Sequence, residues 1–372
     1  MIATADIAIV GAGIAGASLA AEAAPHASLL LIEAEDQPGF HSTGRSAAFW
    51  SETYGGPMIQ PLTTASRDFL ASPPAQFSDR PFVSARGAVH ITNAGPAAIE
   101  ALAESFARSS VGMEQLGHDD ILQLVPGLRP DWKWGLFEPS CMDIDVASLH
   151  AAYLRAARRG GARLVTGARV TRLDHKSGGW RIGTSAGDFE AGTVVNAAGA
   201  WAEQLAGMAG ATRPGVQPFR RTISQLRVAP PPAPTLPLVL DAGGGFYFKP
   251  EAGGRLWLSP HDETPCPAGD CGPEEFDVAL AIDRLGRVID WRVERVEHSW
   301  AGLRSFAPDR LPLYGFDPLA EGFFWCAGQG GFGIQTAPAA AKLAAALLLG
   351  RSPDPAVAAI DPAPYLAGRF MN

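Results

Sequence analysis

Three features of the sequence predict an α/β fold in two parts. At the N-terminus a β-branched run, Ile7 to Val10, leads into Gly11, Gly13 and Gly16 and an alanine-rich helical stretch, and "SLLLIEA" then ends a second strand at Glu33. Near the other end "GFFWCAGQGGFGIQTAPAAAKLAAALLLG" repeats the order strand, glycine loop, helix. Between them lie runs of alternating polar and apolar residues that read as antiparallel strands. Together they predict a Rossmann-type α/β domain and a second, α+β part built on an antiparallel sheet.

The 372 residues exceed what one compact core holds, which fits two domains. Apolar residues make up 47% and charged residues 18%, an ordinary soluble composition. A net charge of -8 argues against a nucleic-acid partner, because the phosphate backbone needs a basic face. Cys266 and Cys271, in "PCPAGDC", have a spacing that suits a local disulfide or a weak metal pair. No histidine or cysteine cluster completes a metal site, so no metal is expected and free thiols in a reducing cytoplasm are. The apolar N-terminal stretch is broken by glycines and begins at an acid. It reads as strand, turn and helix, not as a signal or a membrane span.

Each element of the first forty residues has a chemical reason. Gly11 permits a tight turn, Gly13 lets backbone approach a pyrophosphate, and Gly16 allows close helix–strand packing. Ile14 and Ala15 open the helix, whose unpaired N–H groups and positive dipole end suit an anion. Glu33 lies 22 residues after Gly11, where a carboxylate accepts hydrogen bonds from ribose hydroxyls. That acid would repel the extra phosphate of NADP, but it does not separate NAD from FAD. A glycine turn without a ligand is the bland alternative, and the complete strand–glycine–helix–strand–acid set disfavours it.

The rest follows in order. "ASPPAQFSDRP" is a loop. "VASLHAAYLRAARRG" is an amphipathic helix over 146–160, with Asp145 or Ser148 to cap it and Gly160 to stop it. Strands and a hairpin follow, and "GTVVNAAGAW" brings small residues to the end of a buried strand, a second place for backbone near a ligand. "PFRRTISQLRV" and "GGGFYFKPEAGGRLWLS" alternate as strands, joined through the proline-rich connector "VAPPPAPTLP". "HSWAGLRSFAPDRLPLYGF" reads as a turn-rich return to the final strand, glycine loop and helix.

The run "HSTGRSAAFW" combines small polar residues, one arginine and two large rings. With "VGAGIAG…LLLIEAE", "VVNAAGAWA", "GLRSFAPDRLPLYG" and "GQGGFGIQTAPAAAKLAA", in order along the whole chain, it resembles the D-amino acid oxidase family of FAD-dependent oxidoreductases. Within that family "HSTGRSAAFWSETYG", "WAGLRSF" and "QGGFGIQT" are similar to the bacterial D-arginine dehydrogenase branch. The resemblance implies a discontinuous FAD-binding domain (1–80, 141–212 and 305–372) and a substrate-binding domain (81–140 and 213–304). It implies non-covalent FAD held by Gly11, Gly13, Ile14, Ala15, Gly16, Glu33 and Ala34. Ser42, Thr43, Gly44, Arg45, Ser46, Ala47 and Ala48 would cradle the flavin. Val170, Ala198, Gly199 and Trp201 would join from the middle strands, and Gly302 and Arg304 from the return. Gly328, Gly330, Gly331, Phe332, Gly333, Ile334 and Gln335 would complete the site. "AGLRSFAPD" lacks the cysteine that tethers flavin in sarcosine-oxidase relatives.

For chemistry, the resemblance places Arg304 on a substrate α-carboxylate, where a guanidinium gives a bidentate, permanently charged anchor. Tyr247 would add a hydroxyl, Arg221 is a further carboxylate candidate, and Arg220 would face the other way on a strand. Tyr54, Phe49 and Gly331 would complete the catalytic surroundings. The implied reaction is hydride transfer from the α-carbon of a D-amino acid to flavin N5, giving an imino acid that hydrolyses to a 2-oxo acid and ammonia. A D-arginine side chain needs a buried acid. "SARGAVHI" carries Ala88 there, with Glu52 as a possible substitute, so neutral or apolar D-amino acids are expected ahead of D-Arg. Two other readings stay open: a glycine, sarcosine or other secondary-amine oxidase of the same fold, and a non-catalytic FAD-binding or electron-passing subunit. The electron acceptor is left open between oxygen, a quinone and others.

Overall fold

The computed structural model describes residues 3–176 and 178–371. Its first sheet grows from the N-terminal motif. Strand β1 (Ala3–Val10) turns through the glycines into helix α1 (Ile14–Ala23) and returns as strand β2 (Leu29–Ile32), parallel to β1. The helical crossover is what permits parallel pairing. Eight of the ten α1 residues are buried, because the helix lies between the sheet and the helices Val146–Arg159 and Ala337–Leu349. Small side chains at Gly16, Ala17, Ala20 and Ala21 make that close approach possible.

Around β1 the parallel order is Arg163–Val165, β2, β1, Gly187–Asn196 and Phe323–Ala327, with Leu313–Phe316 antiparallel at the edge. The first half of Gly187–Asn196 also carries the hairpin of Val170–Lys176 and Gly179–Thr184. The helix expected over 146–160 is Val146–Arg159. Of its two candidate caps, Asp145 serves: its carboxylate accepts from the Ser148 N–H at 3.0 Å.

The second sheet draws its strands from 88–138 and 217–306. Its order is Thr264–Pro265, Gln217–Ala229, Arg255–Ser259, Tyr247–Glu251, Leu238–Asp241, Ala88–Thr92, Trp134–Glu138, Glu114–Gly117. All pairs but one are antiparallel. The exception is Leu238–Asp241 beside Ala88–Thr92, so the sheet is mixed where two separate chain segments meet. Helix Glu275–Val288 covers one face over Leu226, Phe248, Leu256 and Leu258.

The stretch expected as a turn-rich return is largely one strand. Arg292–Phe306 pairs with Gln217–Ala229 along nearly its whole length, and the turn comes only at Ala307–Arg310. Its charged first half is solvent-facing and its last six residues are buried, a pattern that conceals strand character in sequence. A small third sheet joins Phe49–Trp50 to Met142–Ile144 and Val83–Ala85. No helix among the described residues is long and apolar enough to cross a membrane.

Candidate active site

A long cleft runs past the N-terminus of α1, along the carboxyl ends of the first sheet and up to the second. Gly11, Gly13, Ile14, Ala15, Glu33 and Ala34 line it at one end. Ser42, Thr43 and Ser46 line it in the middle, with Val170, Ala198, Gly199 and Trp201 opposite. Arg304, Gly330, Gly331, Gly333 and Ile334 close the other end.

The residues fit a dinucleotide. Gly11 has φ +103°, and a Cβ there would lie 2.3 Å from the Ala197 carbonyl oxygen, so only glycine brings the turn this close to the neighbouring strand. Glu33 is buried, and its carboxylate accepts from the N–H groups of Ala12 (2.8 Å) and Glu35 (3.0 Å), which fix an acid at the strand end for a ribose. The Thr43 hydroxyl accepts from the Ile14 N–H at 2.9 Å, and the Ser42 hydroxyl donates to the Leu303 carbonyl at 2.6 Å. These two side chains therefore shape the cleft while already bonded to protein.

Several expected cofactor contacts lie elsewhere. Arg45 turns away: its guanidinium pairs with Asp270 at 2.6 Å and donates to the carbonyls of Cys271 (3.1 Å) and Ala301 (3.3 Å). Gly16 and Gly44 are packing positions, against the Gly11 and Gly39 carbonyls. Ala47 is buried with Phe49, and Ala48 lies on a separate cleft with Asp143 and Lys249. Gly302 makes room for Arg304 and Arg45, and Gly328 lies against the Ala307–Leu313 turn. Phe332 packs on Phe306 and Ile59. Gln335 is a strut behind the site, donating to the Tyr54 carbonyl (3.0 Å) and the Thr63 hydroxyl (2.9 Å) and accepting from the Ser51 N–H (3.1 Å).

The other end of the cleft is assembled by the second sheet. Arg221 and Gly302 are direct cross-strand partners, and Arg304 stands two residues along, so both arginines share one face. Arg220 points the other way, to Glu274 and Asp277. Arg221 donates to the Tyr54 hydroxyl (3.3 Å) and pairs with Glu263 (2.9 Å). Tyr247 is buried opposite Ser259 on the neighbouring strand, and burial pushes its phenol pKa up. Phe49 meets the rings of Tyr54 and Tyr247 at 5.0 and 5.9 Å. Gly331 lies under Tyr54: a Cβ there would stand 2.7 Å from its hydroxyl.

Arg304 differs from its neighbours. It is 6% exposed and donates to the backbone carbonyls of Leu303 (3.2 Å) and Arg45 (3.1 Å). Among the described residues no carboxylate lies in ion-pair range of it. Burial pulls its pKa below the usual guanidinium range; Tyr247 opposes that shift and the Arg221 cation adds to it. A buried cation without a counter-charge is costly, and an incoming carboxylate relieves that cost.

Some neighbours escaped sequence reasoning. His261 faces Tyr247 at 5.6 Å and Tyr54 at 6.2 Å, with its Nδ1 3.1 Å from the Gly244 carbonyl. Burial, reinforced by Arg221, lowers its pKa to about 3, so the ring is neutral. Its place comes from the turn after Arg255–Ser259, and no local pattern marks it. Glu52 is buried, accepting from the Thr64 (2.5 Å) and Ser140 (3.1 Å) hydroxyls, and so is committed to a protein network. That network centres on Glu138, the cross-strand partner of Ala88, which accepts from Ser51, Thr53 and the Glu52 N–H. The helix Ala202–Ala209 also lines the cleft, through Gln204, Leu205 and Met208.

A family model described as FAD dependent oxidoreductase matches residues 6–347. The chain is 26% identical over 380 residues to glycine oxidase of Geobacillus kaustophilus, covering 99% of this chain and 97% of that protein. The crystal structure of glycine oxidase from that organism has a TM-score of 0.85 at 23% identity, with 98% of each chain covered. L-proline dehydrogenase from P. horikoshii gives 0.83 at 20% identity, with 96% of each covered. Iminodiacetate oxidase from a Chelativorans species gives 0.79 at 22% identity, covering 97% of this chain and 98% of that one. The fold, the dinucleotide cleft and this full-length match agree: the chain belongs to the DAO family of FAD-dependent oxidoreductases.

Proposed function

We propose that this enzyme oxidises the Cα–N bond of a neutral amino acid, taking glycine or a small apolar D-amino acid ahead of D-Arg. The observation that carries this reading is Arg304, a buried guanidinium beside the cleft whose hydrogen-bond partners among the described residues are backbone carbonyls. It would anchor the α-carboxylate as a charged fork, with Tyr247 as neighbouring donor. Arg221, already paired with Glu263, would hold the Tyr54 hydroxyl over the site. The two guanidiniums disfavour a third cation, so the substrate amine is held neutral with its lone pair free. The chemistry that FAD supplies when bound is acceptance of a hydride from the α-carbon. The imino acid then hydrolyses in water to a 2-oxo acid and ammonia.

Phe49, Ala88, Leu238 and Leu240 belong to the apolar cluster around Tyr247, and the nearby acids Glu52 and Glu138 are bonded within the protein. This supports a neutral or apolar α-substituent. Full-length similarity to glycine oxidase favours the small end of that range and supports a second reading, N-substituted glycines such as sarcosine.

The test is anaerobic flavin bleaching with glycine, sarcosine and both enantiomers of Leu, Met, Phe and Arg. Glycine or a small apolar D-amino acid is expected to bleach the flavin fastest. A preference for D-Arg of about tenfold, about 1.4 kcal/mol in the wrong direction, overturns the side-chain assignment. Bleaching by none of them supports the non-catalytic alternative.

A further inference from the structure

Two thiols stand outside the amino-acid site but against the wall of the flavin cleft. Cys266 follows the short strand Thr264–Pro265, its N–H donating to the Pro218 carbonyl at 3.0 Å. Cys271 is buried and Cys266 half-buried, and their sulfurs are 3.6 Å apart. Cys141 and Cys326 are each buried elsewhere, in the cluster around Tyr247 and in strand Phe323–Ala327. We propose that Cys266 and Cys271 are a site of reversible oxidation, forming an intramolecular disulfide that clamps the wall of the flavin cleft.

Proximity is the first argument. The sulfurs are already in van der Waals contact, and reaching the bonded distance of about 2.05 Å is a movement of roughly 1.5 Å shared by two side chains of one loop. Burial is the second. It pushes the Cys271 thiol up to about 12, because a thiolate there is poorly solvated and faces the Cys266 sulfur. Cys271 therefore rests as a neutral thiol, which leaves the first attack on an oxidant to Cys266. Cys266, the more accessible sulfur, meets the oxidant, and Cys271 completes the bond.

Position is the third argument and supplies the consequence. The sulfurs pack with Ala200 and Leu303, both on the cleft. The carbonyl of Cys271 and the carboxylate of Asp270 hold the Arg45 guanidinium. The carbonyl of Arg45 in turn accepts from Arg304 at 3.1 Å. A ring closed between Cys266 and Cys271 would hold Asp270 and the Cys271 carbonyl at the start of this chain.

The oxidant is hydrogen peroxide. The Cys266 sulfur attacks one peroxide oxygen and the O–O bond breaks, giving a sulfenic acid and one water. The Cys271 sulfur then displaces the hydroxyl, which leaves as a second water, and the S–S bond forms. Two thiols are oxidised by two electrons and one peroxide is reduced to two waters. A dithiol reverses the step by exchange.

The test uses the FAD-loaded enzyme, treated with peroxide, alkylated and analysed by peptide mass. The peptide spanning both cysteines should lose about 2 Da and resist alkylation, and dithiothreitol should restore both thiols. FAD release in mild urea should be about fivefold slower from the oxidised than from the reduced protein, as expected when a loop is constrained. Cys266→Ser and Cys271→Ser should each abolish the mass change and the difference in release. Free alkylation of both thiols after peroxide, or stepwise oxygen addition to Cys266 with no bridged peptide, overturns the proposal. A bridged peptide with unchanged FAD release overturns the clamp. Both readouts are independent of the amino-acid substrate.

Discussion

The two ends of the active-site cleft are built on opposite plans. At the dinucleotide end, Gly11, Gly13, Ile14 and Glu33 come from one strand–helix–strand unit about 25 residues long. At the other end, Arg304, Arg221, Tyr247 and the Phe49–Tyr54 stretch come from separate segments and meet through sheet pairing, ring contacts and the Arg221–Tyr54 hydrogen bond. The first end rests on backbone shape and the second on side-chain placement. Damage to the first should remove the cofactor, and damage to the second should spare the cofactor and slow the chemistry.

Gly11→Ala tests the first half most severely. The new methyl meets backbone at 2.3 Å and the residue keeps φ +103°, so we expect a loss of about 4 kcal/mol in stability and FAD retention, read by thermal unfolding and bound-flavin absorbance. Full FAD content at unchanged melting temperature would break the contrast. Arg304→Ala tests the other half: flavin reduction should fall by about 3 kcal/mol in kcat/KM, on the order of a hundredfold, while FAD stays bound. Gly331→Ala is milder. Its methyl displaces the Tyr54 hydroxyl and weakens the bond to Arg221, for an expected loss of about 1.5 kcal/mol, near tenfold, in flavin reduction.

The effect that vanishes at neutral pH lies in the wall behind the second end. Burial lowers the His90 pKa to about 4, so the unfolded chain takes up this proton first as pH falls. Its contribution to stability is complete above about pH 6.5 and is lost as pH falls from there toward 4, at up to about 1.4 kcal/mol per pH unit. His90→Gln should flatten the curve of melting temperature against pH in that window. Glu138, whose carboxyl pKa is raised by burial, acts in the opposite sense in both proteins, so the difference between them isolates His90. Identical curves would remove His90 from the account.

The same contrast explains what the sequence disclosed. The glycines, Glu33 and the capped helix after Asp145 were legible because their causes are local. Arg45 was misread because a polar residue in a loop does not announce which neighbour it meets; Asp270 lies 225 residues away. Gln335 looked like part of a ligand loop and is a buried brace, since its three partners come from distant segments. Strand Arg292–Phe306 hid behind charges on its exposed half, and His261 has no pattern at all. The parallel pair Leu238–Asp241 with Ala88–Thr92 joins segments about 150 residues apart, which periodicity alone cannot align.

The ladder between Gln217–Ala229 and Arg292–Phe306 has a consequence for how such an enzyme can change. Arg221 and Arg304 are pinned to one another by strand register, like two marks on a ruler. Slipping that register by one residue would send both to the opposite face. Phe49, Ala88 and Leu240 lie on other strands, outside the ladder. Side chains at those three positions can therefore change while the spacing of the two guanidiniums stays where it was.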